Sequence, residues 1–320
     1  MKKLIALTLA LLMLLGMTAC GSTATPADDG KYTIGICQLV THDALDAATK
    51  GFQDAVIAGL GKDNVTFDLQ NAAGDSNTCA SIANAFVAAE VDLIMANATP
   101  ALQNAQAATA DIPILGTSVT EYGVALDIQD FTGTVGGNVS GTSDLAPLKD
   151  QAAMLQEWFP DAKNVGLLYC SAEPNSKYQV DTISALLTEM GYTCKMFPFA
   201  DSNDMPAVTN GACEFSDVIY VPTDNAVASS TDIIDGICRP AGIPIIAGEE
   251  GICSGCGVAT LSISYYDLGY KTGEMAVQIL KGEADIATME IAYAPATAKY
   301  NPEICEALGL TAPEGYVAIG

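Results

Sequence analysis

Short β-branched runs alternate with Ala-rich helical segments along this chain, and the series runs once, pauses and runs again. Strands are expected at 32–37, 65–70, 92–97 and 112–116, separated by helices at 44–60, 76–90 and 100–110. A glycine-rich stretch, GTVGGNVSGTSD at 133–144, then interrupts the pattern. A second series follows: helix 147–158, strand 164–170, helix 176–190, strand 193–199, helix 204–214, strand 217–222, helix 226–238 and strand 243–248. Strands that alternate with helices at this spacing build a parallel sheet covered on both faces. The fold class is therefore α/β, as two doubly wound parallel-sheet lobes joined by a hinge, with the 133–144 stretch expected as the crossing.

The first twenty residues predict export. Lys2 and Lys3 form a positive start, Leu4 to Leu15 an apolar run, and Met17-Thr18-Ala19-Cys20 places small residues just before a Cys, as a lipoprotein signal does. Residues 1–20 thus read as a signal peptide with Cys20 as the lipid attachment point, and 21–30, GSTATPADDG, as a flexible tether. The expected location is the outer face of the cytoplasmic membrane. About 290 residues remain, the length at which one hydrophobic core usually divides in two. Beyond the signal no apolar run approaches the roughly 18 residues of a spanning helix. Without Lys2 and Lys3, 11 basic residues face 38 acidic ones, a formal charge of −27. Nucleic acid is excluded as a partner, because neutralising phosphates needs clustered Lys and Arg.

Ten cysteines are present. One is Cys20, and several others, such as Cys37 and Cys170, end expected strands, where Cys serves as a small hydrophobe. Cys253-Ser-Gly-Cys256 has the spacing of a redox or zinc half-site. With one His and no second CxxC, a structural zinc is not expected, and neither is any cofactor. A local disulfide or two unpaired thiols is the preferred reading of this pair.

Open α/β sheets hold ligands beyond the carboxyl ends of their strands, so the loops after each strand are where a site belongs. These loops are rich in Ser, Thr, Asn and Asp. Ser76, Thr99, Ser176 and Thr223 stand where a helix-capping oxygen would. Several helix N-termini meeting at one cleft would also seat a carboxylate. Lys177 is the lone basic residue in these loops, which disfavours a multiply anionic ligand and favours a neutral or zwitterionic one. Asp224, in VPTDN, is the candidate for a buried carboxylate offset by an ammonium, with helix capping the equal alternative. His42, the single histidine, either lines the cleft or sits on the surface. No G-x-S-x-G, G-x-x-x-x-G-K-[ST] or H-E-x-x-H occurs, so enzymatic hydrolysis is unsupported. Tyr265 and Tyr266 open a helix that reads as packing.

The segments IGICQLVTHDALDAATKGF, LQNAAGDSN, IMANATPALQNA, GGNVSGTSD, YCSAEPNSKYQ, IYVPTDNAVASS and YYDLGYKTGEMAVQILKG together resemble the ABC transporter substrate-binding lipoproteins of the tryptophan and aromatic amino-acid type. The resemblance implies a type I periplasmic-binding-protein fold with three crossovers, the N-terminal lobe spanning 31–145 plus about 256–285, the C-terminal lobe 146–255 plus about 286–320. It implies a monomer that is not an enzyme, binds an amino acid such as tryptophan, and delivers it to a membrane permease driven by an ATPase. Carried over by motif, the ligand contacts are Gln38, His42, Asp75, Ser76, Asn77 and Thr99 from the first lobe. Ser143, Glu173, Asn175, Ser176, Asp224 and Asn225 complete the set, with hydroxyls and helix N-termini on the carboxylate and Asp224 on the ammonium. The alternatives are a branched-chain amino acid, a nucleoside or a sugar as ligand, a sensor of the same fold, or a redox lipoprotein using Cys253 and Cys256.

Overall fold

A computed structural model describes residues 31–319. The expected signal peptide, Cys20 and the expected tether lie outside the described residues.

The first series begins with β1 (Tyr32–Gln38), α1 (Asp43–Leu60), β2 (Val65–Asn71), α2 (Ser76–Ala88), β3 (Leu93–Asn97), α3 (Thr99–Ala108), β4 (Ile114–Val119) and the short α4 (Tyr122–Ala125). It ends on β5 (Val139–Ser143). The second series comprises α5 (Leu148–Trp158), β6 (Asn164–Cys170), α6 (Pro174–Glu189), β7 (Thr193–Phe199), α7 (Met205–Phe215) and β8 (Val218–Val221). It continues through α8 (Asn225–Ala228), α9 (Thr231–Ala241), β9 (Ile245–Ala247), α10 (Glu250–Cys256) and β10 (Ala259–Ser262). The chain then returns through α11 (Tyr265–Leu280) and β11 (Ala292–Tyr293), and finishes with β12 (Thr297–Tyr300), α12 (Pro302–Leu308) and β13 (Val317–Ala318).

Two sheets result, one in the order β11-β5-β4-β3-β1-β2 and the other β13-β12-β10-β9-β8-β6-β7. Every pairing within them is parallel except that of β10 with β12. In each sheet the order reverses beside the first strand of its series, between β1 and β3 and between β6 and β8. Those reversals open the crevices in which α/β folds place ligands.

Both faces of each sheet are covered, which is why its strands read as continuous apolar runs. In the first lobe Ile34, Ile36, Leu93 and Met95 pack with Phe52 and Val56 of α1 and Met275 of α11. On the opposite face Ile94 and Ile114 meet Ile82 and Phe86 of α2 and Leu102 of α3. The second lobe repeats the arrangement, with Val165 and Leu167 on Leu155, Val180 and Ile183, and Leu168, Ile219 and Val221 on Met205, Ala212 and Ile234.

Three elements depart from the sequence expectation. The glycine-rich stretch is no open crossing, because Val139–Ser143 is a fully buried strand of the first sheet. Gly141 makes it possible: its φ is 148°, and a Cβ there would lie 2.1 Å from the Gly116 carbonyl oxygen and 2.4 Å from the Tyr122 hydroxyl. The expected 226–238 helix divides at Ser229 and Ser230 into α8 and α9. The return segment also lies further along than expected: Ala259–Ser262 belongs to the second sheet and Ala292–Tyr293 to the first. The chain thus passes between the sheets at 144–147, 263–264 and 294–296.

Candidate functional site

The strand ends of both lobes meet around a narrow, partly enclosed cavity, in the place where open α/β sheets hold ligands. Its walls come from both halves: His42, Leu45, Ser118, Thr120 and Asp144 from the first series, Asn175, Thr223, Asp224, Asn225, Ala228 and Glu249 from the second, and Tyr265 from the return helix. No Lys or Arg lines it.

Asp144 follows β5 at the first passage between the lobes and is buried. One carboxylate oxygen, Oδ2, accepts from the Tyr265 hydroxyl at 2.8 Å, while Oδ1 is buried without a partner. Burial raises its pKa, with Tyr265 and Thr120 opposing. Ser118, buried at the end of β4, adopts φ 54° although it is not glycine, and its Oγ also lacks a partner. Strained backbone of this kind collects at binding sites. Across the cavity, the buried Asn175 donates its Nδ2 to Glu173 Oε2 at 3.0 Å, which fixes the amide orientation because a carboxylate only accepts. Asn175 Oδ1 is left unpaired. Native proteins pair nearly all buried polar atoms, and three of the eight buried side-chain atoms left unpaired among the described residues belong to this one cavity, which marks it as the candidate site.

Asp224 both caps a helix and lines the cavity, so the two sequence readings coexist. Its Oδ2 accepts from Cys170 N at 2.7 Å and its Oδ1 from Val227 N at 3.0 Å. Burial, then the neighbouring Glu173, raise its pKa to about 7. Glu249 caps α10 through Gly251 N at 2.6 Å and Ile252 N, and burial raises it to about 7 as well. Glu173 is held entirely by donors of its own lobe, Asn225 N and Nδ2, Ala226 N and Asn175 Nδ2.

One side-chain hydrogen bond joins the lobes beside the cavity. His42 precedes α1 with extended backbone and makes no capping bond, so its ring reaches Asn225, Nε2 to Oδ1 at 3.3 Å. Since Asn225 Nδ2 donates to Glu173 at 2.7 Å, Oδ1 is the acceptor and His42 Nε2 carries the proton. Burial lowers the pKa of His42.

Of the twelve residues named from sequence, His42, Asn175, Asp224 and Asn225 line this cavity. Asp75, Ser76, Asn77, Glu173 and Asn225 line a larger, open groove of about 1370 Å³ at the cleft mouth, where Asp75 also caps α2 through Asn77 N at 2.6 Å. Four others serve as scaffold. Gln38 is saturated by Val40 O, Asp46 Oδ1 and Thr49 Oγ1, and Ser143 Oγ donates to Thr120 O at 2.7 Å. Ser176 Oγ donates to Thr223 O at 3.4 Å, and Thr99 is buried at the start of α3. Sequence assigns no ligand contact to Asp144, Ser118, Thr120 or Glu249, and reads Thr223 only as a helix cap and Tyr265 only as packing. The post-strand loops that contain Ser118, Thr120, Thr223 and Glu249 were marked, but which loop residue turns inward depends on register.

The family model for ABC transporter substrate binding proteins matches residues 33–318. The chain is 37% identical over 298 residues to a tyrosine-binding protein of Clostridioides difficile, covering 88% of this chain and 85% of that one. Among solved structures it is similar to an ABC domain from Streptococcus pneumoniae in complex with L-Trp, at 32% identity and a TM-score of 0.85, covering 90% of this chain and 99% of that one. The ligand-free, open structure of a substrate-binding protein with adhesive properties from Clostridium difficile is 39% identical, with the same coverages but a TM-score of 0.69. Of these two structures, the one closer in sequence is thus the more distant in shape. With fold, cleft and family model in agreement across nearly every described residue, the chain belongs to the ABC transporter substrate-binding protein family.

Proposed function

We propose that the protein captures an aromatic amino acid between its two lobes, as the extracytoplasmic component of an ABC importer. The observation that carries this reading is the trio of unpaired buried atoms, Asp144 Oδ1, Ser118 Oγ and Asn175 Oδ1, converging on one cavity from both halves. Two are acceptors that need N–H donors. An α-ammonium, with three protons, bridges Asp144 of the first lobe to Asn175 of the second, and the Ser118 hydroxyl is left for the carboxylate. Asp224 lines the same cavity and is held by two backbone amides, so it is not the sole counter-ion. The absence of Lys and Arg from the walls suits a ligand that brings its own positive charge. The tyrosine-binding and tryptophan-bound relatives support an aromatic side chain.

A ligand that touches both lobes favours the closed form, and turning a mostly open population into a mostly closed one takes about 5.5 kcal/mol of differential binding. A permease and its ATPase would then receive the closed monomer. Cys20 would tether it to the membrane through lipid, with residues 21–30 as the leash. Titration calorimetry with tyrosine, tryptophan, phenylalanine, leucine and glucose tests the reading: an aromatic amino acid should bind tightest. Failure of all three aromatic amino acids to bind would overturn it.

A further inference from the structure

We propose that Cys213 and Cys238 form a dithiol–disulfide site that a low-molecular-weight disulfide oxidises. The sequence directs attention to Cys253 and Cys256, but the fold separates their roles: Cys253 Sγ faces the Gly257 carbonyl at 3.7 Å, Cys256 Sγ faces the Ile252 carbonyl at 3.4 Å, and both are buried. Two other pairs bring their thiols together: Cys37 with Cys79, both buried, and Cys213 with Cys238, 25 positions apart, which reaches the surface through Cys213. Cys213 in the last turn of α7 and Cys238 in α9 bring their Sγ atoms to 3.4 Å across the contact between those two helices. A bond requires about 2.05 Å, so the two sulfurs, already in contact, must approach further to form it.

The two thiols differ in a way that orders the chemistry. Cys213 is partly exposed whereas Cys238 is buried, so a solution oxidant meets Cys213 first. The Cys238 thiol beside it lowers the pKa of Cys213, and the same contact raises that of Cys238. Cys213 is therefore the attacking thiolate and Cys238 the resolving thiol. Cys213 attacks one sulfur of the small disulfide, whose S–S bond breaks, and the departing thiolate takes up the proton that Cys213 has lost. Cys238 then attacks Cys213 Sγ, gives up its own proton and displaces the second small thiol. Two protein thiols are oxidised and one small disulfide is reduced to two thiols. The product staples α7 to α9 on the second lobe, and neither helix contributes to the ligand cavity.

The test uses the reduced, folded protein incubated anaerobically with excess oxidised glutathione, then alkylated and mapped by peptide mass spectrometry. The expected result is a Cys213–Cys238 cross-linked peptide, with both residues lost from the alkylated pool while Cys253 and Cys256 still alkylate on unfolding. In Cys238→Ser the reaction should stop at a glutathione adduct on Cys213. Any other wild-type pattern overturns the proposal: a lasting glutathione adduct on Cys213 with Cys238 free, a first cross-link elsewhere, or two thiols that stay reduced.

Discussion

Asp144 exposes a conflict between stability and binding at the scale of a single side chain. A carboxylate with one unpaired buried oxygen destabilises the ligand-free fold, since desolvation disfavours its charged form. Its folded pKa lies above the ordinary carboxylate value, so this deficit is absent in acid and grows as pH rises past about 4. Asp144→Asn keeps the acceptor for Tyr265 and removes the charge. Thermal melts at neutral pH should show the ligand-free variant as stable as the parent or more so, and the difference should vanish in acid. The ligand's ammonium loses its charged partner, a change that costs about 2–5 kcal/mol at a buried pair, or about thirtyfold in affinity at the least. A variant that binds normally in calorimetry would remove Asp144 from the site. Sequence reasoning came within one residue of it by naming Ser143 in GTSD. Successive strand side chains point to opposite faces, and the Ser143 hydroxyl turns back to Thr120 while Asp144 faces the cavity. Composition and motif identify such a loop, but only register chooses between neighbours.

At the scale of elements, the alternating series was legible because buried parallel strands and amphipathic helices leave different periods in the sequence. What stayed hidden was β5 and the return path. VSGTS at 139–143 has one β-branched aliphatic residue, and its burial depends on Gly141 accepting a conformation closed to other residues. The return helix α11 was expected to pack a lobe, and the reason it fits is that α1 and α11 approach backbone to backbone. A Cβ on Gly269 would lie 1.9 Å from the Ala48 carbonyl oxygen, and one on Gly51 would lie 2.1 Å from the Tyr266 carbonyl oxygen. Backbone cannot rotate aside as a side chain does. Gly269→Ala should therefore force the helices apart and cost at least the 1–3 kcal/mol typical of an overpacked core, roughly. Urea unfolding of the variant measures it, and an unchanged midpoint would show that the helices do not touch this closely. Tyr265 explains why a packing helix also reaches the site: it is the first residue of α11, at the passage between lobes, so its hydroxyl meets Asp144 while the helix body covers the first sheet.

For the whole molecule, closing the lobes is also an acid–base event. Asp224 and Glu249 both face the inter-lobe cavity and both have pKa raised by burial to about 7. Asp224 is faced by Glu173, by the amides of Cys170 and Val227, and by Ser176; Glu249 is faced by Asp144, Glu250 and the amides of Gly251 and Ile252. The amides and Ser176 oppose the rise without cancelling it. Separation of the lobes returns both carboxylates to water, where such groups titrate near 4. A group whose pKa is higher in the closed form binds protons on closure, in the window between the two values. The ammonium of a ligand lowers Asp144, and His42, whose pKa burial lowers at the lobe-joining bond, gives up protons on closure; both oppose this uptake, but they face three acids. Ligand binding at about pH 6 should thus take up protons, and above about pH 8.5, beyond both raised values, the exchange should disappear. Affinity should correspondingly weaken as pH rises through about 7. Calorimetric titrations in two buffers of different ionisation enthalpy read the proton count directly, because the apparent heats diverge in proportion to it. Equal heats in both buffers near pH 6, or a net release of protons, would mean that these carboxylates are already shielded in the open form and that closure does not desolvate them.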